Sequence, residues 1–170
     1  MSSTPGQAST AIGASGRGAS LRIGQSASFA GDQIVGSGKG EQVSVTVQRV
    51  VDEGTRGIHY LGARAPVLPR GQRRIAVELT FRSTGKAAYN DSPEQELSLI
   101  GPGSIAAVGK VLPGVTGPGQ CVSDLSTSVD IPPGRIDPGC VFFQVRSDQK
   151  ISAVRYQTQA GHYLATWAVR

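Results

Sequence analysis

Large apolar residues return at every second position in one segment after another, and this spacing limits the fold more than any other feature. Val43, Val45 and Val47 alternate with Ser44, Thr46 and Gln48. Ile75, Val77, Leu79 and Phe81 alternate with Ala76, Glu78, Thr80 and Arg82. Successive side chains of a strand point to opposite faces, so a period of two predicts a half-buried β-strand. The same reading gives inward faces to Leu97 and Leu99, to the stretch 105–111, and to Leu125, Thr127, Val129 and Ile131. It continues through Val141, Phe143 and Val145, the stretch 151–156, and finally Tyr163, Ala165, Trp167 and Val169. Gln33-Ile34-Val35 is a further short candidate. Trp167, the only tryptophan, sits on an apolar face and reads as core packing rather than a ligand platform.

No segment offers ten residues of helical periodicity. Gly supplies 23 and Pro 10 of the 170 residues, well above the usual share for the pair, about 12%. Eight or nine short alternating strands with turn formers between them predict an all-β antiparallel sandwich or barrel. Pro132-Pro133-Gly134 ends one strand, and 112–120 is a loop rich in Pro and Gly. Gly36-Ser37-Gly38-Lys39-Gly40 has the look of a phosphate-binding loop. It lacks the Ser or Thr after Lys39 and a following helix, so it reads as a hairpin turn.

Two domains of behaviour follow. Residues 1–28 are rich in Ser, Gly, Ala and Thr and read as a flexible, disordered tether, and residues 29–170 form the folded domain. Residues 52–72 read as a long polar connection, and the acidic pair Asp52-Glu53 reads as a solvated turn, as does Asp91 with Glu94 and Glu96. The N-terminus shows no basic stretch followed by an apolar one and no lipidated cysteine. A cytoplasmic chain and a mature form whose leader was removed both fit that reading. No apolar run approaches the ~20 residues of a membrane span.

Seventeen basic against 12 acidic residues leave a net charge of +5, which favours contact with anionic surfaces. Aromatics are only 5%, and no basic run is interleaved with stacking residues, so sequence-specific nucleic-acid binding is not expected. Arg56, Arg64, Arg70, Arg73 and Arg74 are the densest charge feature. They are the candidate patch for an anionic partner, with a solvated loop as the plainer alternative.

Catalytic constellations are missing from the sequence. His59 and His162 are the only histidines, and no Gly-x-Ser-x-Gly elbow is present. A small hydrolase would need one of them to meet a serine and a carboxylate in a single cleft. No spacing suited to zinc or calcium is found, and no cofactor is expected. Cys121 and Cys140 are the two cysteines. Their spacing alone fits either a disulfide closing a loop of about 20 residues or two unrelated thiols.

Several motifs together resemble a known family. These are Ser83-Thr84-Gly85, Tyr89-Asn90-Asp91-Ser92-Pro93, Ile131-Pro132-Pro133-Gly134, Gly139-Cys140-Val141-Phe142-Phe143-Gln144-Val145 and the closing Thr166-Trp167. Over 29–170 the chain resembles the actinobacterial extracellular proteins of domain of unknown function 4352, which are grouped with the mycobacterial immunoprotective extracellular antigen. The resemblance implies an immunoglobulin-like sandwich, secreted or lipid-anchored behind a Ser/Gly/Thr-rich tether, with Cys121 and Cys140 bonded. Ser83 stands where many members have Asn, so a local turn bond should differ. The family supplies no catalytic residues. The expectation is therefore an extracellular or cell-surface, non-catalytic binding module. Its partner would be an envelope protein or an anionic cell-wall polymer, with a self-assembling structural role as the alternative.

Overall fold

The computed structural model describes residues 19–30, 42–54, 59–60, 63–64, 68–91, 97–102, 104–108, 115–116, 129–157 and 164–170. Every regular element among them is a strand. In chain order these are β1 (Ala19–Arg22), β2 (Ser26–Ala30), β3 (Gln42–Gly54), β4 (His59–Tyr60), β5 (Ala63–Arg64), β6 (Gln72–Ser83) and β7 (Tyr89–Asp91). The second half adds β8 (Leu97–Gly101), β9 (Ser104–Val108), β10 (Val115–Thr116), β11 (Val129–Ile131), β12 (Ile136–Arg146), β13 (Ala153–Gln157) and β14 (Leu164–Ala168).

Two sheets pack face to face as an immunoglobulin-like β-sandwich. One has the order β1-β14-β13-β8-β9 and the other β12-β6-β3-β2. Two small sheets, β10-β4-β5 and β11-β7, complete the pairing. All pairs are antiparallel except β1 with β14. The core is the alternating residues themselves: Val43, Val45, Val47, Ile75, Val77, Leu79 and Phe81 from one sheet meet Leu97, Leu99, Val154, Tyr156, Ala165 and Trp167 from the other. Phe81 and Tyr156 cross the interface with ring centroids 6.4 Å apart. Each fully buried Val, Leu or Phe side chain contributes about 1.5–3 kcal/mol.

The folded part begins earlier than composition suggests. Residues 19–22 and 26–28, expected within the tether, are strand: Leu21 and Ala27 are buried in the core. Small residues alternate there as well as large ones do, and Ser/Gly/Ala composition disguises a strand whose partners lie far along the chain. The connection 52–72 is also shorter than expected, because β3 runs to Gly54 and β4 and β5 form a hairpin within it. The Gln33-Ile34-Val35 candidate and the Gly36–40 turn lie outside the described residues.

Turns obey their local chemistry. Gly134 has φ of +80°, and the N–H of Arg135 donates to the Pro132 carbonyl at 3.0 Å, closing the turn that ends β11. That turn is tied to the Ser83 region. Gly134 N–H donates to the Ser83 carbonyl at 2.9 Å, and Ser83 N–H to the Arg135 carbonyl at 3.2 Å. The Ser83 hydroxyl makes a long 3.4 Å contact with the Ala87 carbonyl. Pro138 lies in β12, the edge of its sheet, where a missing N–H is tolerated.

Candidate functional site

Consecutive strand residues project to opposite faces, and this separates the arginines that the sequence grouped. Arg73 and Arg74 are neighbours in β6. Arg73 turns to Asp52, pairing with its carboxylate, and donates to the Gln149 carbonyl at 2.7 Å. Arg74 is only 5% exposed, and burial lowers its pKa from the ordinary value. Arg70 is exposed on the turn before β6. The backbone of Arg64 pairs with that of His59 between β5 and β4. Arg56 lies outside the described residues. Neither Arg73 nor Arg74 therefore offers a free surface charge to a partner.

Asp52 and Glu53 are the end of β3 rather than a solvated turn. The Asp52 carboxylate also accepts the Gly54 N–H at 3.0 Å. Glu53 is 8% exposed. Burial raises its carboxyl above the usual range against the pull of Arg49, with smaller upward pushes from Glu78 and Asp52. His162, the side chain of His59 and Cys121 lie outside the described residues, so the hydrolase geometry and the Cys121–Cys140 geometry do too. Among the described residues no three His, Cys, Asp or Glu side chains gather as a metal site. No helix among them is long and apolar enough to cross a membrane.

A cleft that the sequence did not disclose lies where the chain changes sheets. β1 ends at Arg22 in one sheet, and β2 begins at Ser26 in the other. Gly24 makes this crossing with φ of +86° and donates its N–H to the Val47 carbonyl at 2.8 Å. Gln25 locks the corner. Its side-chain oxygen accepts the Arg22 N–H at 2.7 Å, and its carbonyl accepts the Trp167 indole N–H at 2.8 Å. Beside the corner, Ile23, Val50, Ala168 and Val169 floor a cleft of about 450 Å³. Arg22, Arg49 and Arg170 stand around it.

Arg49 is steadied by a two-pronged pair with Glu78, with one bond of 3.0 Å from Nε. That hydrogen bond and charge hold its guanidinium above the ordinary pKa. No carboxylate among the described residues pairs with Arg22 or Arg170. The two unpaired guanidiniums, Arg22 and Arg170, beside apolar lining residues suit an anionic group carried on an apolar body. Sequence reading missed the cleft because Arg22, Arg49 and Arg170 are far apart in the chain and meet only through the sheet crossing.

Comparison with known proteins bears on the fold. No family model matches the chain, including that of domain of unknown function 4352, and no curated protein matches it. Among solved structures the chain is similar to MPT63, a secreted protein from Mycobacterium tuberculosis. The TM-score is 0.62 at 14% identity, over 90% of this chain and 98% of that one. A candidate lipoprotein from Bacillus subtilis, YcdA, matches with a TM-score of 0.47 at 15% identity. That match covers 75% of this chain and 36% of YcdA. The MPT63 likeness is one of fold: both chains are β-sandwiches.

Proposed function

We propose that this chain is a non-catalytic module, exported or displayed at the cell surface, that works by binding another envelope component. The observation that carries the reading is the likeness to a secreted sandwich protein across almost all of both chains. The Cys121–Cys140 disulfide belongs to the same proposal. Cys140 is buried in β12, and no free cysteine stands among the described residues. Such a bond persists outside a reducing cytoplasm.

The test is fractionation of the native host with thiols trapped by an alkylating agent during lysis, followed by intact mass. The expected result is protein in the envelope or medium with neither cysteine alkylated. Protein in the cytosolic fraction with two alkylated thiols overturns the reading. An anionic wall polymer is the partner that Arg56, Arg64 and Arg70 would serve. Reversing those three charges should then abolish retention on wall material at low salt.

Self-assembly is the second reading, and one observation favours it. β12 stands at a sheet edge and carries Ile136, 55% exposed. Light scattering that shows only monomer at high concentration counts against it.

A further inference from the structure

β3 is longer than the strand that covers it. β2 pairs with β3 only from Ala30 opposite Gln42 to Ser26 opposite Thr46. The chain then leaves for the other sheet through Gly24, whose N–H takes the Val47 carbonyl. On its other side β3 stays paired with β6 as far as Gly54 opposite Arg74. Residues 48–54 therefore have a partner strand on one side only among the described residues. Register shifts between Val47 and Arg49 and between Asp52 and Gly54 bound the regular stretch at 49–52, and the Gly54 N–H is taken by Asp52. About half of the backbone N–H and C=O groups of such a stretch face away from its neighbour, ready to accept another strand.

The arginine cleft runs beside this open edge, since Arg49 and Val50 belong to both. Arg22 comes from the end of β1 and Arg170 follows β14, so cationic groups face the edge from the opposite sheet. The acids nearest along β3 are engaged or withdrawn: Asp52 pairs with Arg73, and Glu53 is buried. Backbone groups, an apolar floor and unpaired positive charge thus converge on one strip.

We propose that the open edge of β3 receives an extended, acidic peptide segment of a partner protein as an added strand. Its backbone pairs with residues 49–52, one side chain packs on Val50 and Val169, and carboxylates meet Arg22 and Arg170. Backbone pairing supplies affinity, and alternate side chains supply selectivity. The assignment deepens the envelope-binding reading and rests on it.

The probe is a random seven-residue peptide library displayed on phage and panned over the full chain. Enriched peptides are then synthesised and measured by fluorescence anisotropy. The expected winners carry Asp or Glu alternating with apolar or β-branched residues. Replacing their acids with Lys should weaken binding by about tenfold or more, and so should the exposed double variant R22E/R170E. N-methylation of alternate backbone amides should abolish binding in one of the two registers.

Enrichment no greater than on R22E/R170E overturns the proposal. So does binding indifferent to N-methylation, which would mean charge contact alone. Binding of anionic vesicles in place of peptides, or a dimer in light scattering that R22E/R170E abolishes, assigns the strip to another occupant and overturns it equally. Retention of R22E/R170E on native envelope fractions separates the two claims: it sinks the edge assignment while leaving the envelope-binding reading intact.

Discussion

Trp167 and Glu53 show how much one side chain decides. Trp167 is fully buried, and its indole N–H reaches the Gln25 carbonyl at 2.8 Å. The ring fills the core while its polar edge holds the crossing between sheets. Trp167→Phe leaves that carbonyl without its donor and a void behind it. Urea unfolding should show a loss of about 2–3 kcal/mol.

Glu53 should act in the opposite sense. Burial raises its carboxyl above the ordinary 4.5, so the folded chain holds this proton more tightly than the unfolded one. Stability is therefore lost as pH rises from the ordinary value through the raised one. Glu53→Gln removes that loss. Melting curves should show a higher Tm than the parent chain at pH 7 and almost no difference well below both values.

Strands are the scale at which the sequence was most readable. Val43, Val45 and Val47, and Ile75 through Phe81, face the core as their alternation predicts. Trp167 does too. The opposite face of the same strands was not readable. Ala76 and Phe142 are as buried as their inward neighbours, and Arg74 is buried with them. Period-two patterning assumes that one face of a sheet is wet, and here part of the outer face is not. β1 and β2 were hidden for another reason, because their pairings with β14 and β3 are set by distant residues rather than by local composition.

The junction between these two strands depends on Gly24. A Cβ there would meet nothing within 4 Å, so its cost is purely that of a side chain at φ of +86°. Gly24→Ala should cost about 1–2 kcal/mol. In hydrogen exchange the loss of protection should centre on the Gly24 amide and β1, with β6 and β12 unchanged.

At the scale of the whole molecule, long-range pairing and the proposed Cys121–Cys140 bond set stability together. A loop of about 20 residues makes the bond worth roughly 3 kcal/mol. Cys121→Ser should therefore lower the urea midpoint and steepen the transition, since the unfolded chain without the bond is less compact and exposes more surface. The parallel pair of β1 and β14 has a different kind of consequence. Ala19 lies against Ala165 and Leu21 against Trp167, so the first strand of the sandwich closes on the last. A ribosome makes β1 long before its partner exists. The sheet that holds β1 has no complete edge until β14 has emerged, and β1 is connected to the other sheet through the Gly24 corner. Nascent chains halted before β14 should remain protease-sensitive along their length. Under the export proposal, such a delay would leave the chain unfolded for long enough to pass through a translocation channel.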